Sequence, residues 1–248
     1  MLDVDAEMSR KRSDLNVREF YASGGGDRMF SAVMLTPAVA EFLSREERFV
    51  VEVLGALKSR HLFEVGCGYG RYLRWAEGCG VDYDGVDLVS HLVEAGRRRL
   101  SGSASTRQKL HVGSCRDVAA LFDQEGLGDR KSDVVVLFPF NCFGNVAEPE
   151  RVVHSLRRTR ARVLISGFLT TAAATEQRRA YYCNNQFTAL RDSRDARGVL
   201  FTSAEGLHSY AFDGDALEAL LGAEGFKLTQ RRALGPIAQA QLFEIEES

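Results

Sequence analysis

The chain lacks paired cysteines, long apolar runs, low-complexity segments and a charge excess of either sign. Its five cysteines, Cys67, Cys79, Cys115, Cys142 and Cys183, are odd in number and scattered, with no Cys-x-x-Cys pair. A disulfide framework and a cysteine-based zinc site are therefore not expected. The longest uninterrupted apolar run, Val134 to Phe140, is far too short to span a bilayer. Met1 to Phe20 alternates charges and has no signal-peptide core. These absences predict a cytoplasmic chain with reduced thiols and no membrane partner. A net charge of −2 provides no global positive field to recruit nucleic acid. Arginines outnumber lysines 27 to five, but the runs Arg97-Arg98-Arg99 and Arg157-Arg158-Thr159-Arg160 fall on predicted helices and read as solvated faces.

What is present is an ordinary globular balance, 45% hydrophobic and 27% charged. That excludes a disordered, collagen-like or disulfide-stapled chain. At 248 residues the chain exceeds what one α/β core needs, so surplus segments have to be placed. Residues 1–60 read as helical. Thr36-Pro37 is a helix start, followed by Val39, Phe42, Leu43, Val50, Leu54 and Leu57 at helical spacing. Gly24-Gly25-Gly26 reads as a loop.

From residue 61 strands alternate with helices. Strands are predicted at Leu62–Val65, Tyr83–Leu88, Leu110–Gly113, Asp133–Phe138 and Arg162–Ser166, with helices at Tyr69–Glu77, Ser90–Leu100, Asp117–Phe122 and Glu148–Arg160 between them. Such alternation means βαβ units around a parallel sheet covered on both faces. Residues 169–213 interrupt it with a polar loop at Asp192–Arg197 and one strand at Leu207–Phe212. A helix at Asp215–Leu221 and strands at Phe226–Thr229 and Gln241–Ile245 close the chain. The expectation is one α/β domain. Residues 1–60 form a helical cap, 61–168 and 214–248 a cofactor-binding core, and 169–213 a substrate-side insertion.

The strongest local signal is Glu64-Val65-Gly66-Cys67-Gly68-Tyr69-Gly70, where strand one turns into a helix. Glycines there let backbone approach a ligand closely. Asp87, 21 residues after Gly66, sits where an acid accepts hydrogen bonds from ribose hydroxyls. The spacing is G-x-G-x-G rather than the dinucleotide G-x-G-x-x-G/A, with Arg71 at the third small position. Glu64 would repel a diphosphate but suit an ammonium group. A zwitterionic tail plus a ribose points to S-adenosylmethionine. No G-x-x-x-x-G-K-[ST] and no Tyr-x-x-x-Lys occur, which excludes a P-loop NTPase and disfavours a short-chain reductase.

These residues resemble the class I S-adenosylmethionine-dependent methyltransferases. Glu64-x-Gly66-x-Gly68-x-Gly70 matches that family's first motif, Asp87 its second, and His111–Asp117 its adenine-contacting segment. The resemblance implies a Rossmann-like, mostly parallel seven-stranded sheet with an antiparallel last strand. It also implies helices on both faces, an N-terminal helical extension and an insertion after strand five. It implies cofactor contacts at Glu64, Gly66, Cys67, Gly68, Gly70, Asp87, Leu88, Ser114, Cys115 and Phe138. By layout alone, Tyr21 and Arg28 beside the triple glycine would reach the cofactor carboxylate.

The segment Phe138-Pro139-Phe140-Asn141-Cys142-Phe143-Gly144-Asn145 resembles the strand-four tail of small-molecule amine methyltransferases. It lacks the [DN]-P-P-[YF] pattern of nucleic-acid enzymes and the acid of metal-dependent catechol-type ones, so no metal is implied. Its aromatics would wall off a sulfonium. Asn141 either orients a substrate or simply makes a turn. Tyr181 and Tyr182 either line a lid or pack the insertion. His61, His111 and His154 read as structural, and His91 as a helix-start residue. His208, beside Ser209 and Tyr210, is the one histidine to test as a general base. Methyl transfer to nitrogen of a small molecule is favoured over aromatic C- or O-methylation. A nucleic-acid methyltransferase, a dinucleotide oxidoreductase and a non-catalytic binding partner stand as rivals.

Overall fold

In a computed structural model the chain is described over residues 14–29, 31–100 and 107–246. The sequence reading of residues 1–13 falls outside them. The N-terminal segment winds as α1 (Asp14–Phe20), a wide helical turn at Tyr21–Gly25 and α2 (Gly26–Met29). The triple glycine is thus a kink inside helical winding rather than an open loop. The chain bends at Gly24, whose φ of 89° is left-handed. Helix α3 (Pro37–Ala56) starts as its sequence requires, with Pro37 in the first turn and Thr36 Oγ1 accepting from the Val39 N–H at 3.4 Å.

The core alternates β1 (His61–Val65), α4 (Leu73–Cys79), β2 (Asp82–Asp87), α5 (Ser90–Leu100), β3 (Gln108–Val112), α6 (Val118–Gln124), β4 (Val134–Phe138), α7 (Pro149–Thr159) and β5 (Arg162–Phe168). Helix α4 begins at Leu73 rather than Tyr69, because the glycine turn continues through Tyr72. The insertion forms α8 (Ala172–Asn184) and three strands, β6 (Arg191–Asp195), β7 (Gly198–Thr202) and β8 (His208–Phe212). Then come α9 (Gly214–Gly222), β9 (Phe226–Ala233) and β10 (Ala238–Ile245).

One sheet has seven strands in the order β3-β2-β1-β4-β5-β10-β9. Strands β1 to β5 pair in parallel, and β10 runs antiparallel to both neighbours. Both faces are covered, so successive residues enter different cores. Leu62, Tyr83, Leu137 and Leu164 pack toward α3, while Phe63, Val136, Phe138 and Val163 pack with residues of α6, α7 and α9. A second sheet, β6-β7-β8, is an antiparallel meander. The polar stretch expected as a loop is therefore strand β6. All five of its residues are exposed, so no apolar alternation marked it. Strand β9 likewise runs past Thr229 because its outer half is polar sheet edge.

Candidate active site

Strand order reverses between β1 and β4, and a cavity opens beyond their carboxyl ends. Its floor is the turn after β1. Gly66 and Gly68 are left-handed, at φ 71° and 54°. The Gly66 and Cys67 N–H groups both donate to Val86 O, at 2.8 and 3.2 Å, which pins the turn to β2. A Cβ added at Gly66 would overlap Cys142 Sγ, so the β4 tail already fills the space that a side chain would need.

Two carboxylates line this floor. Asp87 Oδ2 accepts from the Gly68 N–H and Oδ1 from the Val89 N–H, each at 2.8 Å. Burial pushes its carboxyl above the ordinary value. Glu64 is 1% exposed. Its Oε2 accepts from Tyr83 Oη at 2.5 Å and from the Tyr72 N–H at 3.4 Å. Its Oε1 is buried and has no hydrogen-bond partner among the described residues. Burial pushes Glu64 up from 4.5 to about 8.

The wall beside this floor is the β4 tail. Phe140 and Asn141 are consecutive left-handed non-glycine residues, φ 44° and 60°, a conformation that persists only under tight constraint. The constraint is Glu46, a buried acid on α3. Its Oε1 accepts from the Phe140 N–H at 2.6 Å and from Ser166 Oγ, and its Oε2 pairs with Arg71 and accepts from Tyr72 Oη at 3.2 Å. Asn141 Nδ2 donates to Ser209 Oγ at 3.1 Å and Tyr210 O at 3.0 Å, and its Oδ1 accepts from the Phe168 N–H at 3.3 Å. The amide therefore joins the β4 tail to β8 and β5. Asn145 Nδ2 donates to Tyr21 Oη at 2.9 Å, which closes the N-terminal segment against the same tail.

Of the residues singled out from sequence, Tyr21, Glu64, Gly66, Cys67, Gly68, Asp87, Leu88, Cys115, Asn141 and Tyr182 line the cavity together. Six do not. Phe138 points into the opposite core against Phe143, ring centroids 5.2 Å apart, and Phe140 supplies the cavity aromatic instead. Ser114 Oγ accepts from the Arg116 N–H at 3.2 Å, leaving its neighbours Gly113 and Cys115 at the cavity. Gly70 packs under Leu73. The Arg28 guanidinium sits 5.5 Å from the Phe187 ring centroid. Tyr181 Oη donates to Met29 O at 2.6 Å behind the wall. His208 lies off the cavity because strand alternation on β8 turns Ser209 toward it. His61 and His111 both bond Asp84, at 2.8 and 2.6 Å. Asp84, His111 and Glu125 hold ligand-type atoms within 4.8 Å of one another, away from the cavity.

Phe140, Cys142 and Asn145 belong to the strand-four tail that the sequence reading placed at the methyl, and they line the cavity. Sequence reasoning missed Glu46 and Ser209. Glu46 carried a signal. It sits in the apolar stripe of α3, four residues after Phe42 and three before Phe49.

A Methyltransferase domain family model matches residues 39–231. The chain belongs to that family. No curated protein sequence matches this methyltransferase. Solved structures do. Magnesium protoporphyrin IX methyltransferase from Synechocystis PCC 6803, with bound S-adenosylhomocysteine, is 12% identical with a TM-score of 0.62, over 94% of this chain and 100% of that one. The 1,6-didemethyltoxoflavin-N1-methyltransferase of Burkholderia thailandensis, with substrate and S-adenosylhomocysteine bound, is 15% identical with a TM-score of 0.58, over 100% and 92%. The glycopeptide N-methyltransferase MtfA is 17% identical with a TM-score of 0.53, over 82% and 96%. At these identities the likeness concerns the fold.

S-adenosylmethionine is the cofactor of the methyltransferase, and the residues present fit it. The buried, unpartnered Glu64 Oε1 matches an ammonium. Asp87 is held rigidly beside left-handed glycines that keep the approach open. When bound, this cofactor supplies an electrophilic methyl on a sulfonium sulfur. Among the described residues no helix is long and apolar enough to cross a membrane.

Proposed function

We propose that the methyltransferase acts on a small molecule and that the acceptor atom is a nitrogen. In this reading Glu64 Oε1 receives the cofactor ammonium and Asp87 the ribose hydroxyls. Gly113 and Cys115 flank the adenine. The N-terminal segment, through Tyr21, and the insertion, through Tyr182 and Ser209, close the acceptor side.

The observation that carries the nitrogen assignment is the lining of the cavity. Beyond Glu64 and Asp87 it has no carboxylate and no histidine among the described residues. Its remaining walls are largely Phe140, Phe168, Tyr182, Tyr21, Met29 and Val17. A neutral amine attacks with its lone pair and gives its proton to solvent afterwards. A hydroxyl acceptor usually needs a base within hydrogen-bond reach. Catalysis then consists of holding the nitrogen in line with the methyl and keeping water out. Two proteins of the same fold are named for transfer to nitrogen, which supports the same choice.

The test is a screen with labelled methyl donor over amines, indoles, peptides and phenols, with mass spectrometry locating the methyl. An N-methylated product is expected. A product methylated only on oxygen or carbon contradicts the assignment.

A further inference from the structure

Arg178 on α8 is 1% exposed, and its hydrogen bonds among the described residues go to hydroxyl and carbonyl oxygens, none to a carboxylate. It is packed among Phe168, Tyr182 and Phe201, with ring centroids 5.2, 5.4 and 4.9 Å from its guanidinium carbon. A buried cation without a counter-charge is expensive. Backbone bonds alone do not explain the choice of residue. Its Nη1 donates to Val199 O at 3.1 Å and its Nη2 to Ser209 O at 2.6 Å, but it also grips two hydroxyls. Nε donates to Tyr182 Oη and Nη2 to Ser209 Oγ, both at 2.9 Å.

The protons on those hydroxyls are the informative part. Ser209 Oγ also accepts from Asn141 Nδ2, whose orientation is fixed because the same nitrogen faces Tyr210 O while Oδ1 faces the Phe168 N–H. Guanidinium and amide NH2 groups only donate, so each hydroxyl acts as acceptor toward the protein. Neither the Tyr182 nor the Ser209 hydroxyl proton meets an acceptor in the described structure. Both residues line the cavity. Accepting from a cation makes an O–H a stronger donor.

We propose that the methyl acceptor carries an anionic or carbonyl oxygen (phenolate, enolate, carboxylate or ring carbonyl) that receives both hydroxyl protons, with Arg178 supplying the counter-charge. The inference rests on the small-molecule reading above. It narrows that reading to amines whose framework bears such an oxygen, anchored opposite the nitrogen that is methylated.

The test uses the full chain saturated with S-adenosylhomocysteine and two probes of like shape, 4-nitrophenolate and nitrobenzene. Wild type is expected to bind the phenolate at least about tenfold more tightly, and to hold it ionised below its solution pKa, read from its absorption band. Tyr182→Phe and Ser209→Ala, which keep the packing, are each expected to weaken the phenolate about tenfold, as for the loss of one charge-assisted hydrogen bond, and to leave nitrobenzene within about twofold. Arg178→Met is expected to abolish the discrimination; should it not fold, the two hydroxyl variants decide. Equal affinity for the probes, binding of neither, or equal losses for both in the variants overturns the proposal, the last by assigning these groups a packing role. Failure of S-adenosylhomocysteine itself to bind counts instead against the cofactor assignment.

Discussion

The backbone N–H of Gly68 donates to Asp87 Oδ2 at 2.8 Å, so the glycine turn after β1 and the acid that ends β2 form one unit. The sequence separates them by 19 residues and a helix. With Val89 holding the other oxygen, the carboxylate is oriented before any ligand arrives. Such preorganisation lowers the ordering cost of binding.

Gly66→Ala tests the floor. The new Cβ meets Cys142 Sγ, and φ of 71° is itself unfavourable for alanine by about 1 kcal/mol. S-adenosylhomocysteine affinity is expected to fall at least about tenfold. In Gly66→Ala/Cys142→Ala the overlap is gone but the backbone term stays, so calorimetry is expected to show partial recovery.

Glu64 makes binding depend on pH. In the free protein its pKa is pushed to about 8, so at pH 7 it holds its proton. An ammonium against Oε1 favours the charged form and expels that proton. Affinity for S-adenosylhomocysteine is expected to rise with pH by up to about tenfold per unit below 8. Titration in buffers of different ionisation enthalpy counts the released proton, and Glu64→Gln is expected to flatten the profile. The same shift has a stability consequence. Because the folded-state pKa is raised, Glu64's contribution is fully present below pH 4.5 and is lost as pH rises through about 8.

Glu46→Ala removes one of the two acceptors of the Phe140 N–H, the other being Ser166 Oγ at 2.9 Å, and the partner of Arg71. Arg71 is partly solvated, which moderates the effect. A loss of about 3 kcal/mol in urea unfolding is expected. Cofactor affinity is also expected to weaken, because Phe140 and Asn141 lose one of the contacts that hold their left-handed backbone.

Tyr21→Phe breaks the bond from Asn145 that closes the N-terminal segment. One such hydrogen bond is worth about 1 kcal/mol, or about fivefold in affinity. A change of that size in cofactor binding, with unfolding unaffected, is the expected result by calorimetry and thermal melting.

The alternation of apolar strands with helices made the sheet legible in advance, and Glu64, Gly66, Gly68 and Asp87 stood at readable spacings. Of the insertion, only β8 was legible. Strand β6 is exposed on both faces and leaves no period-two signal. The sequence places Phe138 and Phe140 in the same tail and does not show the left-handed turn that sends only Phe140 to the cavity. Arg178 carries no signal in the sequence. Only its burial among Phe168, Tyr182 and Phe201 reveals it. His208 and Ser209 are adjacent in sequence, and strand alternation alone decides between them.

The most direct measurement is isothermal titration of S-adenosylhomocysteine into wild type and Asp87→Ala. Saturable one-to-one binding by wild type, weakened at least about tenfold in Asp87→Ala by loss of the charge-assisted ribose contacts, is expected. No binding by wild type, or equal affinity in the variant, would contradict the cofactor assignment on which the rest depends.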